Sequence, residues 1–339
     1  MAMTVNQKTS AWVIGASGFS GAELCRLINR HPYLQLSRAF ASSVANAKPL
    51  AELYPELATV VNIDLEVWRD QNIDQDPLPE LVFLALPHEA SAKLAPYFLQ
   101  AGVVVVDLSG AFRLKELNKY PEFYNFKHPS PEYLQDASYS LMELIGDAEL
   151  NNLISVPGCY PTVSTLALAP LIRENLLCEQ QVPVITATSG VSGAGRQATL
   201  NNSFCSVSLG AYAVLSHRHQ PEIAQNLGRE VIFTPQLGAF KRGILATCSA
   251  RLGKGVTPAQ VEQAFQQYYQ NQTFIRLVAT PPKIAQVENT PFCDIYWAVQ
   301  GSNIVISAAI DNLLKGAASQ ALQAANHKFG WPQPSGVML

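Results

Sequence analysis

The segment Ser155-Val-Pro-Gly-Cys-Tyr-Pro-Thr162 carries a cysteine where an apolar run gives way to a turn. Pro161 reads as the first residue of a helix, because its fixed φ and missing N–H suit that position. Cys159 then stands at a helix N-terminus, where backbone N–H groups and the macrodipole favour a thiolate over a thiol. A thiolate so held attacks carbonyl carbon, and the same N–H groups suit the oxyanion that forms after attack. The remaining cysteines, Cys25, Cys178, Cys205, Cys248 and Cys293, read mostly as small buried hydrophobes.

A thiolate nucleophile needs a partner for its proton. Ser216-His-Arg-His-Gln-Pro-Glu222 offers two histidines, an arginine and a carboxylate in one short run. Histidine titrates near neutrality and suits the task. Pro221 is expected to open a helix, which puts Glu222 in its first turn with its carboxylate available to orient an imidazole. His219 is the first candidate for the acid/base and His217 the second. Two histidines at this spacing also suit a metal, but no third ligand stands at a clear spacing, so no metal is expected. Arg113, in Asp107-Leu-Ser-Gly-Ala-Phe-Arg113, and Arg196, in Ser189-Gly-Val-Ser-Gly-Ala-Gly-Arg196, each follow a glycine-containing loop after a strand. A guanidinium fork there suits carboxylate or phosphate, and a structural ion pair is the plainer alternative for each.

Nearer the start, Gly15-Ala-Ser-Gly-Phe-Ser-Gly21 lies between an apolar run and a helical pattern. Glycines in that place allow a tight turn and let backbone amides approach a pyrophosphate at a helix N-terminus. Gly15, Ser17, Gly18, Phe19 and Gly21 are therefore the candidate dinucleotide contacts, although the spacing is G-x-x-G-x-x-G rather than the commoner G-x-G-x-x-G. An acidic residue to grip a ribose 2′-hydroxyl belongs roughly 20 residues further on, yet Leu34 to Ala51 contains none. Arg38, Ser42, Ser43 and Lys48 stand there instead, donors suited to a 2′-phosphate, which favours NADP over NAD. Arg38 and Lys48 as plain solvated charges are the alternative.

These residues need a frame, and the first half of the chain supplies the pattern of one. Apolar runs at Trp12–Gly15, Leu34–Ala41, Leu81–Leu86 and Val103–Leu108 alternate with helical stretches from Ala22 to His31 and from Glu89 to Gln100, the signature of a parallel, doubly wound sheet. From about Ile154 strand-like runs dominate: Val184–Thr188, Val231–Phe233, Ile244–Leu252, Ile295–Val299 and Ile304–Ile310. Antiparallel pairing with one wet face fits them. One helix, Thr257–Tyr269, interrupts, and an alanine-rich helix from Asn312 to Lys328 is expected to pack back on the first domain. The fold class is thus α/β: an N-terminal Rossmann-like parallel sheet plus an α+β domain with a mixed or antiparallel sheet.

Composition narrows the function classes. A formal charge of −3 with scattered Lys and Arg over 339 residues gives no footprint for a polyanion, so nucleic acid is not an expected partner. Leu153–Ile172 is long and apolar, but Pro157, Pro161 and Pro170 argue against a membrane span. Met1–Ser10 lacks the cationic and apolar regions of a secretory signal. Six cysteines without C-x-x-C spacing exclude a disulfide scaffold or zinc ribbon and suit a reducing cytoplasm.

Taken together, the motifs resemble the N-acetyl-γ-glutamyl-phosphate reductase family, relatives of aspartate-semialdehyde dehydrogenase. The resemblance runs nearly end to end and is carried by Gly15–Gly21 with Ala22-Glu23-Leu24, Leu86-Pro87-His88, Asp107-Leu108-Ser109 with Phe112-Arg113, Pro157–Thr162, Ser189–Arg196, His217-Arg218-His219 and Asp311–Gly316. Gly-Cys-Tyr-Pro-Thr around the thiol separates this family from its aspartyl relative. The resemblance implies an NADP-binding domain at 1–155 completed by 312–339, and a catalytic and oligomerisation domain at 156–311 in a homodimer or homotetramer. It implies that Cys159 attacks an acyl phosphate, that phosphate leaves, and that NADPH reduces the thioester to the semialdehyde. It places Ser189, Gly190 and Asn312 near the cofactor and Pro87 and His88 near the nicotinamide; Ser109, in the motif of Arg113, joins the two arginines as a candidate for substrate binding. One departure stands out: Ser43 follows Ser42 where many members carry arginine, which weakens the 2′-phosphate contact. An aspartyl-semialdehyde or glyceraldehyde-phosphate type of dehydrogenase would share thiol, histidine and cofactor, and a non-catalytic dinucleotide sensor would share the fold alone.

Overall fold

The computed structural model describes residues 8–41, 43–69 and 77–338. The chain divides into two compact units, Met1–Pro157 with Ala317–Leu339, and Gly158–Gly316. In the first, the described strands are β1 (Thr9–Ile14), β2 (Leu34–Ala41), β3 (Leu65–Val67), β4 (Leu81–Leu84), β5 (Val104–Asp107), β6 (Ser138–Tyr139) and β7 (Leu153–Ser155). Every pairing is parallel, in the order β3-β2-β1-β4-β5-β7-β6. The helices between them are α1 (Phe19–Asn29), α2 (Leu50–Leu53), α3 (His88–Gln100), α4 (Lys119–Tyr124) and α5 (Met142–Ile145). Strands covered on both faces bury nearly every residue, which explains continuous apolar runs such as Leu81–Leu84 and Val104–Val106.

The strand order reverses beside β1, and the glycine turn leaves β1 at that switch point, where doubly wound sheets bind their ligands. Gly15 has φ +95°, and a β-carbon there would lie 2.2 Å from the Ala85 carbonyl oxygen. A β-carbon on Gly21 would stand 2.3 Å from the Gly15 oxygen, so α1 can approach β1 only without one. Gly18 differs: it caps α1 with φ −83°, and its nearest neighbour would be 3.5 Å away. The space in front of the α1 amides is thereby left open.

In the second unit the described strands are β8 (Val184–Gly190), β9 (Gly210–Ala211), β10 (Ile232–Gly238), β11 (Ile244–Arg251), β12 (Ile275–Leu277), β13 (Cys293–Gln300) and β14 (Asn303–Ile310). The order is β12-β13-β14-β11-β8-β10-β9. Pairing is mixed, because β8 with β10 and β12 with β13 run parallel, whereas β11, β13 and β14 are joined antiparallel as expected. Helix connections cause the difference: α7 (His219–Leu227) returns the chain to start β10 in the direction of β8. The other helices are α6 (Cys159–Arg173), α8 (Pro258–Tyr269) and α9 (Ile284–Val287).

α6 is buried around almost its whole circumference, packed among β11, β14, α7 and α8, and the Tyr269 hydroxyl donates to the Leu166 carbonyl at 2.7 Å. That environment, rather than lipid, accounts for the apolar run of Leu153–Ile172, which is divided between β7, a turn and α6. No helix among the described residues is long and apolar enough to cross a membrane. The expected helix Asn312–Lys328 is broken: Leu314–Ala318 forms a π turn, and only Ser319–Lys328 is α-helix, α10. The cause is Asp311, whose Oδ1 accepts the Leu313 and Leu314 amides at 2.8 and 3.0 Å and holds the start of the segment open. α10 belongs to the first unit, where Asn326 meets the buried His31 ring at 2.8 Å and the Lys328 ammonium donates to the Leu150 carbonyl.

Gly15 and Gly18 differ in what substitution should do to stability. Gly15→Ala should cost roughly 2–4 kcal/mol, from left-handed φ and a backbone clash together, and Gly18→Ala less than about 1 kcal/mol. Thermal unfolding of the two variants separates them.

Candidate active site

Helix α6 starts at Cys159 itself, with Gly158 as its cap in extended conformation. The expectation that Pro161 opens the helix is off by two residues. The Gly158 carbonyl already accepts the Thr162 amide at 2.8 Å and the Thr162 hydroxyl at 2.9 Å, which closes the first turn ahead of the proline. Pro161, inside that turn, removes no needed donor. The thiol is partly exposed, whereas Cys25 and Cys248 are fully buried and burial pushes both their thiols up to about 12.

Helix α7 starts at His219, again two residues before the expected Pro221. Glu222 is nevertheless in its first turn, and the side chain is completely buried. Its Oε2 pairs with His219 Nδ1 at 2.8 Å, and its Oε1 accepts the Gly158 amide at 2.9 Å. One carboxylate therefore holds the imidazole and the residue just before the thiol. Because a carboxylate accepts, the Nδ1 of His219 carries hydrogen and Nε2 is left as the basic atom, the arrangement by which a buried acid orients a general base.

His217 has a different character. Burial, then the neighbouring His219 and Arg218, lower it to about 3, so it is neutral wherever His219 could work. Its Nδ1 accepts the His219 amide at 3.2 Å, and its ring packs edge-on against Tyr160, Tyr212 and Phe233. Tyr160 donates to the Gln236 carbonyl at 2.9 Å and receives the Tyr212 hydroxyl at 3.4 Å. Burial, with Tyr212 beside it, raises its phenol well above the ordinary value, so Tyr160 is no proton acceptor.

Residues 10–157 match the family model described as "Semialdehyde dehydrogenase, NAD binding domain", and residues 159–312 match "Semialdehyde dehydrogenase, dimerisation domain". The N-acetyl-γ-glutamyl-phosphate reductase of Vibrio parahaemolyticus is 52% identical over 96% of this chain and 98% of its own. That of Escherichia coli is 50% identical with the same coverage. The chain belongs to the N-acetyl-γ-glutamyl-phosphate reductase family of semialdehyde dehydrogenases. It is accordingly an oxidoreductase of the nicotinamide-dinucleotide class. Aspartate semialdehyde dehydrogenase II of Vibrio cholerae, at 18% identity, shares the fold with a TM-score of 0.71 over 96% of this chain and 99% of that one.

Within this family member the remaining candidates fall in various settings. In the second unit, Ser189 donates to the Gly190 carbonyl at 3.1 Å at the end of β8. Asn312 is bound within the protein, accepting the Gly243 amide at 2.7 Å and donating to Ser192 at 3.0 Å. Arg196 is exposed, just after Gly195 at φ +87°. In the first unit, Ser17 is buried, with its carbonyl bonded by the Tyr54 hydroxyl, and Phe19 packs edge-on against the same tyrosine. His88, preceded by Pro87, is the first residue of α3 and accepts the Gly110 amide through Nδ1 at 2.7 Å. Ser109 donates to Asp107 at 2.8 Å. Arg113 is buried and bonds the Val156 and Leu108 carbonyls at 2.8 and 2.7 Å.

Arg38 corrects an expectation. Its guanidinium binds Glu66 of β3 through both Nε and Nη2 and lies over the Trp12 and Phe40 rings. The fork expected at a 2′-phosphate is engaged with a carboxylate from the neighbouring strand, outside residues 34–51. Ser43 is exposed at the end of β2, Lys48 lies 3.6 Å from Glu52, and Ser42 is outside the described residues. Sequence reasoning also missed the bond from Gly158 to Glu222, the Tyr160–Tyr212 pair, and the ion pair of Arg242 with Asp311. Tyr160 was within a motif already noted, but Arg242 carried no signal.

Neutral His217 has a stability consequence. A histidine held below its ordinary 6.5 takes up its proton in the unfolded chain first, so folding stability falls as pH drops from 6.5 toward 3. His217→Gln should flatten that fall relative to the parent in thermal unfolding across pH, while His31 and His128, lowered in the same direction, retain their share.

Proposed function

We propose that the chain reduces N-acetyl-γ-glutamyl phosphate to N-acetylglutamate semialdehyde, with NADPH as reductant and release of phosphate. The observation that carries this reading is Glu222, bonded at once to His219 and to the turn that presents Cys159. Relatives about half identical to the chain bear the name of that reaction.

In this reading His219 Nε2 takes the thiol proton and the Cys159 sulfur attacks the acyl carbon. The bond to the phosphate oxygen breaks, phosphate leaves with the electron pair and the proton from His219, and a thioester remains on Cys159. Bound, the reduced nicotinamide supplies a hydride. A hydride added at the thioester carbon would give an oxyanion that the positive end of α6 would favour, and its collapse would release the aldehyde and return the Cys159 sulfur as thiolate. Neutral His217 supports the His219 amide and takes no proton. Arg196 is the proposed fork for an anionic group of the substrate.

The glycine turn fits a dinucleotide because Gly18 leaves clear the approach to the α1 amides. NADP is favoured over NAD because the end of β2 presents no carboxylate for a 2′-hydroxyl, and Glu66 beside it is neutralised by Arg38. A homo-oligomer is supported by a row across one face of the second sheet, Val305, Ser249, Val184 and Ile232, register neighbours in turn. Its three apolar members are each about 40% exposed. Six cysteines without C-x-x-C spacing suit work in the cytoplasm.

Steady-state assay of Cys159→Ser beside the parent tests the reading. Turnover should fall by at least about 10³-fold with NADPH affinity kept. Turnover at parental rate would exclude a thioacyl route. Phosphate-dependent reduction of NADP with N-acetylglutamate semialdehyde, and not with aspartate semialdehyde, is the expected substrate result.

A further inference from the structure

Gly316 lies inside the π turn Leu314–Ala318. Its amide bonds the Asp311 carbonyl at 2.9 Å, five residues back, the spacing that defines such a turn. Asp311, fully buried, fixes the turn from its other end. Its Oδ1 accepts the Leu313 and Leu314 amides, and its Oδ2 accepts the Asn289 amide and pairs with Arg242. The glycine is thus held at a set position by a buried network.

What it is held against is the proposed nucleophile. A β-carbon on Gly316 would lie 2.7 Å from Cys159 Cβ and 3.3 Å from Cys159 Cα. The first distance is one that real β-carbons do not adopt, and Cys159 Cβ is a single bond from the sulfur. Backbone conformation gives no reason for glycine here, since φ is outside the left-handed region. On helix propensity alone, alanine would be favoured over glycine. The penalty at 316 therefore comes from the neighbour, and the neighbour is Cys159.

We propose that Gly316 is a positioning residue whose missing side chain sets the seat of Cys159, and that the Asp311-held π turn aims the sulfur at the start of α6. The catalytic part of this inference rests on Cys159 being the nucleophile; the packing part does not.

A double-mutant cycle tests it: Gly316→Ala in the parent and in Cys159→Gly, which removes the β-carbon that alanine would strike. Gly316→Ala should lower Tm in the parent and leave it unchanged or raise it in the Cys159→Gly background. If the single variant does not fold, recovery of folding in the Cys159→Gly background supports the proposal, and failure in both overturns it. In the folded single variant the pH profile of Cys159 alkylation by iodoacetamide should shift, and kcat should fall roughly 10- to 100-fold with KM for NADPH kept. Equal Tm changes in both backgrounds, or an alkylation profile that superimposes on the parent's, overturns it. Should Cys159→Ser turn over normally, the nucleophile reading fails separately and the Tm cycle keeps its meaning.

Discussion

A buried carboxylate with two bonds organises the second unit. Glu222 has no access to water, so its oxygens must be satisfied inside the protein or cost several kcal/mol. They are satisfied by His219 and by the Gly158 amide, two groups separated by some sixty residues of chain. Neither bond can be given up cheaply, which ties the orientation of a base to the position of a turn. A single side chain thereby fixes the imidazole relative to the turn that precedes Cys159.

The rest of the unit serves the two helix starts that the carboxylate joins. α6 is buried among strands and helices and cannot shift as a surface helix would, so its N-terminus is a fixed origin for Cys159. α7 turns directly from the segment of His217, whose neutral ring accepts the His219 amide and is walled by aromatic side chains. In the first unit the same economy of backbone appears at Gly15, which crowds the Ala85 carbonyl, and at Gly21, where α1 approaches the end of β1 too closely for any β-carbon. Both units thus present helix N-termini, one suited to a pyrophosphate and the other to a thiolate and an oxyanion.

Much of this was legible in the sequence because it depends on local chemistry. β2 was expected and found over Leu34–Ala41, and the parallel sheet followed from continuous apolar runs that burial on both faces demands. Helix starts at Cys159 and His219 were each misplaced by two residues, since proline marks the first turn but not which residue of it. The parallel pairs of the second sheet were not legible, because alternation reports which face is wet and not strand direction. The pairing of Arg38 was not legible for a related reason: its partner Glu66 is distant in sequence. Gly316 illustrates the limit most plainly, for nothing in its own neighbourhood points to Cys159, and only folding brings them together.

In the proposed route Glu222 governs acylation by holding His219 and the turn before Cys159 in register. Single-turnover phosphate release from the acyl phosphate by Glu222→Gln, which preserves shape but not charge, measures this directly. A release rate roughly 10²- to 10⁴-fold below the parent's is expected, with NADPH binding kept and thermal stability lowered, because one of the two buried donors loses its acceptor. Phosphate release at the parental rate would contradict it.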